Sequence, residues 1–274
     1  MPEHLRITHD GPVATVTLAR PEVHNAFNET LIAELHAAFD DLGGDDDVRV
    51  IVLTGEGKSF SAGADIEWMR RMSRATEADN RADAERLAAM LRAVAECPKP
   101  VIARVNGAAI AGGAGLAAAA DIAVAVESAQ FGFAEVFLGI APATISPYVI
   151  ARIGPGRALP LFLTGDRLQA KEAQEIGLVY RTAPNLPRLD AIVMETLKPL
   201  LLGGPKAQAA IKKLVGRVDA LRNAPIPGIS FISEVDEYTS GVIARLRASP
   251  EGREGIAAFL EKRPPAWAPG DEKP

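Results

Sequence analysis

Glu135 is the one ionisable residue in Phe131-Gly132-Phe133-Ala134-Glu135-Val136-Phe137-Leu138-Gly139. A carboxyl among apolar neighbours loses hydration of its charged form, which raises its pKa toward that of a usable general base. A lone acid on an exposed loop gives the same pattern, so the run by itself leaves both readings open. Two glycine-containing segments, Phe60-Ser61-Ala62-Gly63-Ala64-Asp65 and Ala111-Gly112-Gly113-Ala114-Gly115, suit a different kind of chemistry. Glycine lets backbone approach a ligand closely, and Gly112 and Gly113 open a short Ala-rich helix whose first N–H groups have no intrahelical partner. Two such donors converging on one oxygen make an oxyanion hole. Tight turns and close helix packing account for the same glycines. Asp121, at the head of a strand, reads as a structural hydrogen-bonding acid.

Other chemistries lack their residues. Gly57-Lys58-Ser59 looks like the tail of a phosphate-binding P-loop, but Val52 stands where that motif needs glycine. Gly113-Ala114-Gly115-Leu116-Ala117-Ala118 fits a dinucleotide fingerprint in letters, yet the preceding strand ends near Val105, too early for the immediate turn that fold makes. No GxSxG elbow occurs, and His4, His9, His24 and His36 all lie too early for a Ser-Asp-His order. HExxH and CxxC spacings are absent, so no metal is expected. Cys97 is the single cysteine and cannot form an intrachain disulfide, which fits a cytoplasmic location.

The elements that must position these residues follow from pattern. With 48% hydrophobic and 24% charged residues in 274, the chain has the composition of a folded globular protein. Its 30 Lys and Arg are dispersed among 35 Asp and Glu for a net charge of −5, which argues against nucleic acid as a partner. The uncharged stretches 105–120 and 136–151 fall short of the roughly 20 apolar residues of a membrane span, and MPEHLRITHD has no apolar core of a secretory signal. LRIT and VATVTL, within residues 5–18, flank His9-Asp10-Gly11-Pro12 as a hairpin, and Asn28 caps an amphipathic helix over 29–42. VRVIVLTG (48–55), VIARV (101–105) and DIAVAV (121–126) read as buried strands, with a helix over 79–96 between the first two. This alternation predicts an α/β layer fold. Beyond about residue 184 helices take over, at 187–202, 205–220, 228–248 and 252–263, punctuated by Pro225-Ile226-Pro227-Gly228. The expected organisation is an α/β core over 1–204 and a helical region over 205–274.

Six segments, taken in order, resemble the enoyl-CoA hydratase/isomerase (crotonase) superfamily. They are RPEVHNAF (20–27), KSFSAGADI (58–66), KPVIARVNGAAIAGG (99–113), AADIAVAVESAQFGFAEVFLGIAP (119–142), LTGDRLQAKEAQEIGLV (163–179) and AAFLEKRPPAW (257–267). The resemblance implies a spiral of ββα units with a C-terminal helical trimerisation region, as a homotrimer or homohexamer. It implies an acyl-CoA substrate, no cofactor beyond the coenzyme A of that substrate, and stabilisation of a thioester enolate. By position the backbone N–H groups of Ala64 and Gly112 hold the thioester oxygen. Ala62, Asp65 and Ile66 lie where the family binds adenine, and Lys58 and Lys262 match positions that meet CoA phosphates. Glu67 stands where some members carry Lys, which removes one such contact. Glu135 matches the retained glutamate of the family, whereas Gly115, in the substrate site, occupies the position of the hydratases' other glutamate. AGGAGL with PATISPYV (142–149) is similar to a bacterial subgroup that hydrates branched glutaconyl-CoA esters. The implied activity is an enoyl-CoA hydratase in which Glu135 deprotonates water, helped by Thr144, Ser146 and Tyr148. The alternatives are a single-glutamate isomerase and a non-catalytic CoA-ester- or RNA-binding relative.

Overall fold

The computed structural model describes residues 2–223 and 231–269. The Pro225–Gly228 break and the start of the helix expected from residue 228 lie outside the described residues. The chain divides into two units, one of residues 1–97 with 101–196 and the other of 98–100 with 197–274.

In the first unit the expected hairpin is β1 (Leu5–Asp10) and β2 (Val13–Leu18), followed by α1 (Glu29–Gly44). The Asn28 side chain accepts from the Leu31 N–H at 2.8 Å, and Leu31, Ile32, Leu35, Phe39 and Leu42 form the buried face of α1. Next come β3 (Val50–Gly55), β4 (Ser59–Ser61), α2 (Ile66–Met72) and α3 (Glu77–Glu96). Helix α3 starts two residues before its apolar pattern does, because Thr76 and Asp79 close a capping box. The chain continues through β5 (Val101–Val105), β6 (Ala108–Ile110), α4 (Gly112–Ala119), β7 (Ile122–Val126), β8 (Gln130–Gly132) and a 3-10 turn over Ala134–Leu138. It then forms α5 (Ser146–Ile153), α6 (Pro155–Thr164), β9 (Arg167–Gln169), α7 (Ala170–Glu175) and β10 (Arg181–Ala183).

These strands alternate between two sheets. One runs β1-β2-β3-β5-β7-β10 and the other β4-β6-β8-β9. Strands β2, β3, β5, β7 and β10 are parallel, and β3 is buried along its whole length, as the continuous β-branched run requires. Each pair β3/β4, β5/β6 and β7/β8 places one strand in each sheet before the chain moves on, so the architecture is a repeated ββα spiral. Asp121 is structural, accepting the Val101 N–H at 2.8 Å.

Helix α8 (Leu186–Leu202) contains the dividing point after Thr196. The second unit continues with α9 (Pro205–Asn223), α10 (Phe231–Ala248) and α11 (Pro250–Leu260). Its helix ends are held by side chains: Glu251 accepts the Lys206 and Ala207 N–H groups at 2.9 and 2.8 Å, closing the start of α9.

Candidate active site

Strand β4 pairs in parallel with β6, Ser59 opposite Ala108 and Ser61 opposite Ala109. On the far side of β4 its continuation pairs with Phe27: the Phe27 N–H donates to Gly63 O at 2.6 Å and the Asp65 N–H donates to Phe27 O at 2.8 Å. Successive N–H groups of an extended chain point to opposite sides. The Ala64 N–H therefore points away from Phe27, toward the side on which β6 leads into Gly112. The two loops are in contact there. Gly63 has φ +88°, and a side-chain carbon on it would lie 2.9 Å from Ile110 O and 3.6 Å from the Gly112 nitrogen. Ala111, which precedes α4, is held at φ 50° and ψ −119°, a conformation costly for any residue with a Cβ. Among the described residues, neither the Ala64 nor the Gly112 N–H is spent on a protein acceptor. Two unspent donors on touching loops, one at a helix start, suit an oxygen that gains negative charge.

Glu135 enters from β8. The Ala111 N–H donates to Gly132 O at 2.7 Å, so the loop that ends at Gly112 is tied to the strand end three residues before Glu135. The 3-10 turn carrying Glu135 closes at Gly139, whose φ of 73° is the left-handed conformation that glycine adopts without strain. The carboxyl is half-buried, and its Oε2 is buried without a hydrogen-bond partner among the described residues. Burial pushes its pKa above the ordinary carboxylate value, outweighing a hydrogen bond from its own backbone that acts the other way. A carboxyl with one free oxygen and a raised pKa is equipped to take and return a proton.

The neighbouring space is apolar. Gly115 is buried in α4, and a Cβ on it would overlap the Cβ and Cγ2 of Ile145, itself 1% exposed. Ile145 thus fills the place where a side chain at residue 115 would begin. Of the three hydroxyls expected to help hold water, Ser146 and Tyr148 lie on α5 and Thr144 just before it. Ser146 Oγ donates to Ala143 O at 2.8 Å. Burial raises the pKa of Tyr148, while the charge of Arg92 lowers it and that of Glu96 raises it.

The remaining expected contacts divide by location. Lys58 just before β4, Ala62 just after it and Ile66 at the start of α2 are exposed, Ile66 at 69%. The Asp65 side chain is committed to the protein: Oδ1 caps α2 by accepting from Glu67 and Trp68 N–H at 2.8 and 3.3 Å, and Oδ2 pairs with Arg20 at 3.0 Å. Burial alone would raise its pKa, but Arg20 and the two amides hold it below the ordinary value. Its backbone is engaged as well, the N–H donating to Phe27 O and the C=O accepting from the Met69 N–H at 2.9 Å. Glu67 pairs with Arg70 at 2.5 Å. Lys262, in the second unit, is exposed at φ 54°.

Gly113 gives a test of loop contact. A Cβ there would overlap Ser61 O and lie 2.9 Å from Ser61 Cβ, so Gly113→Ala must push α4 from β4. The expected result is a fall in kcat of about 10²-fold, comparable to loss of one oxyanion donor, with the variant still folded by circular dichroism. Wild-type turnover would show that the two loops need not touch.

Residues 8–270 match the enoyl-CoA hydratase/isomerase family profile. The chain is similar to the crystal structure of an enoyl-CoA hydratase from Shewanella pealeana, with TM-score 0.90 and 37% identity over 97% of this chain and 96% of that one. An enoyl-CoA hydratase/isomerase from Marinobacter aquaeolei superposes with TM-score 0.86 at 34% identity, over 97% of this chain and all of that one (100%). A trans-2-decenoyl-[acyl-carrier-protein] isomerase of Streptococcus mutans is 32% identical over 263 residues, which is 94% of this chain and 95% of the relative. The ββα spiral, the paired glycine loops and these matches agree: the chain belongs to the enoyl-CoA hydratase/isomerase family.

Proposed function

We propose that the protein is an enoyl-CoA hydratase that adds water across the α,β double bond of a CoA thioester. The Ala64 and Gly112 N–H groups hold the thioester oxygen as it gains charge. Glu135 takes a proton from water as the water oxygen bonds to the β carbon, and the electron pair moves onto the thioester oxygen to form an enolate. The protonated Glu135 then delivers its proton to the α carbon, which restores the carbonyl and the free carboxylate. The segment Ala62–Ile66 receives the adenine, and Lys58 meets a CoA phosphate. The observation that carries this reading is the half-buried Glu135 carboxyl, its Oε2 unpartnered, on a segment bonded to the Gly112 loop.

One observation favours a second reading. With Ile145 filling the space beside Gly115, Glu135 is, among the described residues, the one carboxyl assigned to the reacting end of the proposed site. A single carboxyl suffices to move a proton between two carbons, as an isomerase does. Incubation with straight-chain enoyl-CoA esters and a branched glutaconyl-CoA ester, followed by mass spectrometry, separates the two. Gain of one water identifies the hydratase. Bond migration without a mass change identifies the isomerase. Binding without either identifies a non-catalytic relative.

Self-association belongs to the same proposal. In the second unit Ile211, Val215, Phe259 and Leu260 are 53%, 64%, 81% and 72% exposed, apolar surface that a second copy would cover. Light scattering should give a trimer or hexamer mass at micromolar concentration. A monomer would refute assembly.

A further inference from the structure

The Ala64 donor lies on a short stretch of backbone that must be aimed within a fraction of an ångström, and the element that aims it is the segment 20–27. His24 O accepts the Ala62 N–H at 2.9 Å, Asn25 O accepts Ser61 Oγ at 2.9 Å, and Phe27 exchanges two backbone bonds with Gly63 and Asp65. Asn25 is fully buried at φ 57°, and its Nδ2 donates to Glu56 O and Ser59 O, both at 2.9 Å. This strap is closed by Arg20. The Arg20 N–H donates to Asn25 Oδ1 at 2.9 Å, and the Asn25 N–H donates back to Arg20 O at 2.8 Å. Its guanidinium then spans the Phe27–Ala64 pairing: Nη1 donates to Ala26 O at 2.6 Å, one residue before Phe27, and Nη2 donates to Asp65 Oδ2 at 3.0 Å, one residue after Ala64.

We propose that Arg20 is a positioning residue of the oxyanion hole, its planar fork fixing the register between segment 20–27 and the Ala64 loop. The inference rests on Ala64 being an oxyanion donor, as proposed above. Both side chains of the Arg20–Asp65 pair are only 12% exposed, and Arg20 Nε is buried without a partner among the described residues. A buried cation with one idle donor is a poor device for stability alone, since apolar side chains would fill the volume without that desolvation cost. What the fork supplies is direction: two donors in one rigid plane meet two acceptors on either side of the aimed amide. Lysine has three donors on one rotatable nitrogen and lacks the planar fork that fixes both directions. Because an oxyanion donor gains most of its worth in the transition state, a small loss of aim lowers kcat while ground-state binding is largely kept.

Arg20→Ala and Arg20→Lys, each with wild type, test this by two readouts. Amide hydrogen exchange over residues 61–66 should quicken about tenfold in Arg20→Ala, with strand 101–105 unchanged, as a local opening does. With trans-2-butenoyl-CoA as probe, kcat per folded molecule should fall about 10- to 50-fold, part of the loss that follows removal of one donor, and KM should stay within about threefold. The infrared stretch of a ¹³C-labelled butanoyl-CoA carbonyl, lowered on binding to wild type, should return toward its free value. Arg20→Lys should fall between the two, and if Arg20→Ala does not fold it carries the test. Unchanged exchange over 61–66 overturns the strap. Faster exchange with wild-type kcat and carbonyl shift overturns its link to the oxyanion hole. If wild type itself shows no carbonyl shift, the oxyanion reading falls and takes the link with it, while the exchange result still decides the strap.

Discussion

Replacing Glu135 by glutamine lowers kcat by about 10²- to 10⁴-fold while KM for a CoA ester changes little, because the amide keeps the shape and hydrogen bonding of the side chain but cannot accept the proton. Steady-state kinetics with the enoyl-CoA ester that gives the largest mass-spectrometric signal measures this. Near wild-type turnover would remove Glu135 from the mechanism. The pH profile follows from the same group. The base must be ionised, so kcat is lost as pH falls through its pKa, and burial places that acid limb above the ordinary carboxylate range. Stability runs the other way. A raised pKa means the folded state favours the neutral acid, a contribution present below the unfolded-state pKa and lost as pH rises through the folded one. Glu135→Gln should therefore melt higher than wild type near neutral pH, and the difference should vanish below about pH 4, where an unperturbed carboxyl is protonated. A Gln variant that melts lower than wild type at neutral pH would mean that Glu135 is held by a favourable partner.

The second large effect is expected at Gly115. A glutamate there would return a second carboxyl to the family's other position, but its Cβ would overlap Ile145. Overpacking of a buried contact costs about 1–3 kcal/mol and at times more. Gly115→Glu alone should thus unfold at lower urea concentration and gain no hydratase activity. The informative variant is Gly115→Glu with Ile145→Gly, since the Ile145 Cα lies at an ordinary 3.5 Å from the added carbon. Removing the isoleucine side chain costs about 2–5 kcal/mol by itself, so the pair is compared with Ile145→Gly at low temperature. If wild type only migrates double bonds and the pair gains hydration, the isomerase reading stands. A stable Gly115→Glu single variant would show that Ile145 does not reserve the space.

Much of this arrangement is local enough to be written in the sequence. The runs 48–55, 101–105 and 121–126 are continuous and β-branched or small because strands β3, β5 and β7 are buried on both faces. The Asn28 cap and the spacing of Leu31, Leu35 and Phe39 place α1, and a carboxyl alone in an apolar run marks Glu135. The resemblance to a known family rests on the same short segments in order. The second sheet is another matter: β4, β6, β8 and β9 span three residues each, too few for a period of two to register, and they exist because the neighbouring strands supply their hydrogen bonds.

The site depends on those unreadable strands. That Gly63 touches the Gly112 loop and that Ile145 occupies the space beside Gly115 are contacts between residues distant in the chain. Arg20 stands in the sequence only as the first residue of the family-like segment RPEVHNAF, with no role of its own, yet the fold brings Asp65, 45 residues later, to its guanidinium. Sequence determined which residue types stand ready, an acid in apolar surroundings and glycines where backbone must come close, because propensity and periodicity act over a few residues. Only the tertiary structure decided which amides point at the same space and which side chains fill it, because packing and hydrogen-bond direction are set by partners that the chain supplies from elsewhere.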